Sequence, residues 1–171
     1  MERTEKYTRD TANQCRHTAG VYRAVLAVVL MLMTSISIGA CAKDKDPLSL
    51  DEIAEGVLEK VTFEDELAAV DAAMAPSLYA VGDFESARIY RGSGATAEEF
   101  AIFEAKDNAD AEKINEALLA HIESQRTLYA GYMPKEVNRL DKAILLRSER
   151  YVVLCVTDDE NAEGTIKSLL S

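Results

Sequence analysis

Apolar residues follow two rhythms along this chain, and the change of rhythm marks its elements. Ile53, Val57, Leu58 and Val61 recur at helical spacing. Ahead of them Ser49-Leu50-Asp51-Glu52 forms a capping box, with Leu48 placed to staple onto Ile53. A second helical stretch is expected over residues 64–75. It opens on Glu64, Asp65 and Glu66 and stops before Pro76, because proline disfavours helix at the residue preceding it. From Phe84 the period shortens to two. Residues 84–91 read as a strand, Gly92-Ser93-Gly94 as a loop that uses positive φ, and residues 100–105 as the partner strand.

Asp107 or Asn108 then caps a long helix to about residue 130, closed by Gly131 with Pro134 just beyond. Its expected buried stripe is Ala111, Ile114, Leu118, Ile122 and Tyr129, with Glu112, Lys113, Glu116, Glu123 and Arg126 facing water. Residues 143–147 and 151–157 form a second hairpin. Asp158 or Asp159 is expected to cap a final helix carrying Ile166, Leu169 and Leu170. Each half therefore runs strand, turn, strand, acidic cap, helix. The fold class expected is α+β: an antiparallel sheet of about four strands in two ββα units, helices on one face, and one or two helices in front.

The segment before this domain has a different character. Residues 1–23 carry five basic and three acidic residues, and residues 24–42 carry no formal charge. The strong apolar core, Ala24-Val25-Leu26-Ala27-Val28-Val29-Leu30-Met31-Leu32-Met33, is short for a membrane span of about 20 residues and suits a signal-peptide core of about 7–15. It leads into Ile38-Gly39-Ala40-Cys41, which resembles a bacterial lipobox with Ile in place of the usual Leu. Cleavage between Ala40 and Cys41, with lipid on the Cys41 thiol, is the expectation. It divides the chain into a signal peptide over residues 1–40, a lipid-anchored tether over 41–48 and one domain over 49–171. Two alternatives stand beside it: an uncleaved signal anchor over residues 24–42, and a cleaved secreted chain in which the Cys is accidental. The basic leader is long and holds three acids, which a wrongly chosen start codon would explain.

Composition narrows the function classes. A chain of 171 residues with 48% hydrophobic residues and three Cys is neither disordered nor a disulfide-dense scaffold. Beyond residue 23 it holds 14 basic and 27 acidic residues, a net of −13. Nucleic acid is excluded as a partner on that ground, since phosphate binding needs a basic surface. Cys15 lies in the leader and Cys155 in the apolar run Tyr151-Val152-Val153-Leu154-Cys155-Val156, so no intramolecular disulfide and no Cys metal site are expected.

Several stretches together carry a family resemblance. Phe63-Glu64-Asp65-Glu66-Leu67, Leu78-Tyr79 and Arg91-Gly92-Ser93-Gly94-Ala95-Thr96-Ala97-Glu98-Glu99-Phe100-Ala101-Ile102-Phe103-Glu104-Ala105-Lys106 resemble a bacterial lipoprotein family known as domain of unknown function 4358. The likeness continues through residues 112–129 and the hairpin at 147–157. Ser148-Glu149-Arg150 departs from the pattern, which often has Gly or Asn in that turn. The resemblance implies a lipid-anchored envelope protein of Gram-positive bacteria and brings no catalytic residues with it.

The chemistry-bearing residues are few. Gly92-Ser93-Gly94 could expose amides to an anion, but a phosphate loop needs a helix directly after it, and here a strand follows. His121 is the only His beyond the leader, beside the apolar stripe, and reads as a hydrogen-bonded core residue. Asp158-Asp159-Glu160 lacks the spacing that wraps oxygens around calcium and reads as helix capping. Glu98 and Glu99 would need to face one another across a cleft to serve a hydrolase. The serines lack a nucleophile-elbow context. Tyr90, Tyr129, Tyr132 and Tyr151 read as core edge or sheet face. The expectation is therefore no catalytic, cofactor-binding or metal residues, and a non-enzymatic binding or cell-envelope accessory module on the outer side of the cell membrane. A carboxylate-based hydrolase using Glu98, Glu99 or Asp158 is the alternative from another class.

Overall fold

A computed structural model describes residues 49–171; Ala40 and Cys41 lie outside the described residues. Helix α1 spans Leu50–Lys60, strand β1 Ala68–Val70 and helix α2 Ala75–Tyr79, the last preceded by a 3-10 turn at Ala72–Met74. Strands β2 (Ser86–Arg91) and β3 (Glu99–Glu104) precede α3 (Asn108–Ala130) and α4 (Pro134–Leu140). Strands β4 (Ile144–Ser148) and β5 (Tyr151–Val156) precede α5 (Ala162–Leu169). The strands form one antiparallel sheet in the order β1-β2-β3-β5-β4. The class is α+β as expected, with five strands rather than four. No helix among the described residues is long and apolar enough to cross a membrane.

Local signals explain much of this. The Ser49 hydroxyl accepts from the Glu52 amide, and Asp107 accepts from the Asp110 amide to start α3. The stripe Ala111, Ile114, Leu118, Ile122 and Tyr129 is buried as its spacing demands. Both hairpins pair, with Ala87 opposite Phe103 and Arg147 opposite Val152.

Several expectations fail. Residues 64–75 are not a helix: after α1 the chain runs extended into β1, which pairs Ala68 with Arg91, and Pro76 opens α2 rather than ending a helix. Proline is favoured in the first turn because its missing N–H needs no partner there. For the same reason Pro134 starts α4, a helix absent from the expected order. Neither Asp158 nor Asp159 caps α5, which begins after Asn161. Asp159 instead accepts from the amides of Thr62 and Asn161, joining the end of α1 to the start of α5.

The helices also cover both faces, not one. α2, α3 and α4 pack on one side over Ala101, Phe103, Val152, Leu154 and Val156. α1 and α5 pack on the other over Phe100, Ile102, Tyr151, Val153 and Cys155. All six residues of β5 are buried, which is what an unbroken apolar run means when a strand is covered twice.

The β4–β5 turn carries strain. Two residues, Glu149 and Arg150, join the strands, and Glu149 takes φ +52°, a region where a Cβ is costly. Glu149→Gly should therefore raise stability by about 0.5–1 kcal/mol, read as a higher urea midpoint with unchanged slope. Ile114→Ala or Leu118→Ala should cost about 2–5 kcal/mol in the same measurement, because both side chains are fully enclosed.

Candidate functional site

The polar chemistry of the domain gathers where β3 begins. Glu98 and Glu99 are adjacent, and both are buried at that point. Their carboxylates diverge, as alternate positions of an extended chain must. Glu99 shares its face with Ala101 and Phe103, under α2 and α3. There its Oε1 lies 2.8 Å from His121 Nε2, and its Oε2 accepts from the Tyr79 hydroxyl at 3.0 Å. An ionised carboxylate only accepts, so Nε2 of His121 is the donor. Arg91 Nε lies 3.4 Å from the same oxygen and supplies the compensating charge. The Tyr79 ring packs edge-on against His121 and Phe103. Burial, then the charge of Glu99, pushes the Tyr79 hydroxyl far above its ordinary value, so it stays protonated as a donor.

Glu98 turns toward a different centre. Its Oε2 accepts from the Asp65 amide at 2.8 Å, while Oε1 lies 3.9 Å from Arg139 Nε. Arg139, on α4, has a side chain only 6% exposed, so its charge requires partners. It donates to Glu64 at 2.6 Å, to Glu136 at 2.6 Å and to Asp158 at 2.9 Å. Burial opposes the guanidinium charge, but the bonds to Glu64 and Asp158, with the charges of Glu98 and Glu136, outweigh it and hold the pKa above its usual value. The same Glu136 oxygen accepts from the Ala97 amide at 2.9 Å, so one carboxylate fixes both Arg139 and the loop leading into β3.

That loop is clasped from its other side. Oδ2 of Asp65 accepts from the amide and the hydroxyl of Ser93 at 2.7 and 2.8 Å. Gly92 is what admits it, since a Cβ there would meet the carboxylate at 2.6 Å. Gly94, at φ +91°, is the glycine of this loop that uses its conformational freedom. The acids Glu64 and Asp65, expected to open a helix, thus serve long-range contacts instead.

A cavity of about 450 Å³ lies over Arg139, lined by Thr62, Glu64, Glu98, Asp158, Asp159, Glu160 and Asn161. Each nitrogen of the Arg139 guanidinium in this cavity already faces a carboxylate, and the lining around it is mostly acidic, so an anion entering it would meet like charge. The structure therefore brings Glu98 and Asp158 together on one guanidinium and sends Glu99 elsewhere with His121. Sequence reasoning missed Arg139, Glu136 and Tyr79. Only the three-residue spacing of Glu136 and Arg139 after a helix-starting proline could have suggested the first pair.

The remaining candidates are placed as follows. Tyr129 is buried and its hydroxyl donates to the Thr96 carbonyl at 2.6 Å; burial is the main cause that pushes its pKa up to about 12. Tyr151 is buried, Tyr90 half-buried, and Tyr132 exposed with its ring stacked on Tyr129. Cys155 is a free, buried thiol pushed up to about 12 by burial and neighbouring acids, which makes it a poor nucleophile at neutral pH.

Two outcomes follow from this geometry. Arg139→Met should destabilise by about 3–5 kcal/mol, because it strands the buried Glu98 and Glu136; denaturant unfolding reads the loss. Bonds from Ser93 hold Asp65 below its ordinary value of 3.8, and bonds from the Thr62 and Asn161 amides do the same for Asp159. Acids depressed by folding contribute stability that is complete above the unfolded value and lost as pH falls through the folded one. The urea midpoint should therefore hold above about pH 5 and fall below the ordinary carboxylate range. Asp65→Asn should flatten that dependence.

Comparison with known proteins places the chain in a family. A family model described as Domain of unknown function (DUF4358) matches residues 61–157, a span that contains all five strands together with Arg139, Glu98, Glu99 and His121. No curated protein and no solved structure matches the chain. With more than half of its length matched, the chain belongs to the family defined by that domain of unknown function.

Proposed function

We propose that this protein is an extracytoplasmic lipoprotein, anchored in the cell membrane through Cys41, whose domain acts as a non-catalytic binding or cell-envelope accessory module. The observation that carries the non-catalytic reading is that its candidate acids are already engaged by groups of the fold. Glu99 is engaged by His121 and Tyr79, Glu98 by the Asp65 amide and the charge of Arg139, and Asp158 by Arg139. Glycoside hydrolysis needs two carboxyl groups roughly 5–9.5 Å apart across a substrate. Here the adjacent pair points apart, and Glu98 and Asp158, which line one cavity, both serve as counter-ions of Arg139.

The anchor rests on the order of the leader and on free energy. A basic start, an apolar core and small residues before Cys41 are the order of an exported lipoprotein. Each buried methylene contributes about 0.8 kcal/mol, and one acyl chain binds only marginally, so the two chains of a diacylglyceryl thioether are needed to hold. The acidic chain beyond the leader could not substitute, since anionic lipid would repel it.

Mass spectrometry of the protein purified from native membranes tests this directly. The expected N-terminus is Cys41, carrying diacylglycerol on sulfur, and Cys41→Ala should give an unlipidated chain with the same fold. An intact leader would favour the signal-anchored alternative. An unmodified Cys41, or an N-terminus elsewhere, would refute the proposal.

A further inference from the structure

The sheet has two open edges, and they differ. β1 offers three residues, two of them exposed alanines, before the chain turns into the 3-10 segment at Asp71. An edge that short gives another strand little to pair with. β4 has five residues, contains neither proline nor glycine, and leaves Ile144, Leu145 and Leu146 only half-buried between helices on both faces.

The register decides which backbone groups of β4 face outward. The Ala105 amide donates to the Arg150 carbonyl, so Arg150, Val152 and Leu154 turn their backbone groups toward β3. Tyr151, Val153 and Cys155 then face β4 and bond with their partners Ser148, Leu146 and Ile144. Leu145 and Arg147 are left with amide and carbonyl pointing away from the sheet. Among the described residues no hydrogen bond reaches those groups.

We infer that β4 pairs with β4 of a second copy of this chain, antiparallel about a two-fold axis at Leu146, making one continuous ten-stranded sheet. This register uses both open residues. Leu145 of each copy lies opposite Arg147 of the other and exchanges both backbone bonds with it, which gives four bonds in all. The two Leu146 side chains meet at the axis in the closer, non-bonded type of pair. Beside the edge runs a cavity of about 300 Å³ lined by Leu146, Arg147, Lys167 and Leu170, which leaves room for that contact.

Charge sets where a second copy can approach. The chain carries net −13 beyond residue 23, so most faces of two copies repel one another. Along this edge the basic charges are already neutralised in pairs, Arg147 with Glu112, Arg150 with Glu104 and Lys167 with Glu163, and Glu149 in the turn adds one acid. The edge is thus a nearly neutral, apolar-centred strip on an acidic molecule, where self-association meets the least repulsion.

Cysteine placement tests the register in the full chain. Leu146→Cys puts two thiols opposite one another at a Cα separation of about 4.5 Å, within disulfide range. Leu145→Cys, one residue away, faces Arg147 instead. Under mild oxidation Leu146→Cys should give at least tenfold more covalent dimer than Leu145→Cys. The unsubstituted chain sets the background from its native cysteines. Equal yields from the two variants, or cross-linking of Leu146→Cys to a different protein in intact cells, overturns the inference. Sedimentation of the unsubstituted chain in detergent gives a reading independent of any substitution. A mass of two copies is expected, and a single-copy mass at the highest attainable concentration contradicts it.

Discussion

The guanidinium of Arg139 joins four places far apart in the sequence: Glu64 after α1, Glu98 before β3, Glu136 one turn earlier on α4, and Asp158 after β5. A buried charge of this kind is costly unless several partners surround it, and each partner then depends on it in turn. The dependence spreads outward from there. Glu136 holds the Ala97 amide and Glu98 holds the Asp65 amide. Asp65 holds Ser93 across the space that Gly92 leaves open. The β2–β3 loop, the extended stretch after α1 and the chain end of β5 are therefore fixed by one electrostatic centre at this end of the sheet.

That centre bears on what the domain can do. Acids that in isolation look like candidates for hydrolysis are the counter-ions of Arg139 or, in the case of Glu99, the acceptor for His121 and Tyr79. Cys155, the one thiol among the described residues, is sealed between α1, α5 and the sheet. Titratable groups near β3 thus brace the fold from within, which leaves surfaces such as the β4 edge as places for contact with other molecules. Membership of a family whose model spans residues 61–157 fits this division, since the span holds Arg139 and all of its partners except Asp158.

How much of this was legible depended on the range of the interaction. Signals confined to a few residues read correctly: the Ser49 cap, the Asp107 cap, the 3.6-residue stripe of α3 and the pairing of both hairpins. The unbroken run from Tyr151 to Val156 is that of a strand covered on both faces, whereas the repeated ββα order and the alternate positions Val152, Leu154 and Val156 taken alone favour helices on one face. Where a local preference met a distant partner, the distant partner prevailed. Glu64-Asp65-Glu66 has the composition of a first helical turn, but Arg139 and Ser93 engage its first two acids in an extended chain. Asp159 suits a helix cap, but the Thr62 amide claims it. The residue at the heart of the site, Arg139, carries no local mark at all. Its role is set by carboxylates up to 75 positions away, and one sequence alone does not show such pairings. The leader and Cys41 lie outside the described residues, so their reading rests on sequence order alone.

Native-state hydrogen exchange compares the centre with the sheet it braces most directly. The amides of Asp65 and Ala97 donate to carboxylates that Arg139 holds, whereas those of Ala101 and Leu154 lie in the central ladder between β3 and β5. In Arg139→Met the account predicts that Asp65 and Ala97 lose most of their protection while Ala101 and Leu154 keep theirs relative to the new global stability. If Asp65 and Ala97 stay as protected as in the parent chain, Arg139 is not the interaction on which this end of the fold depends.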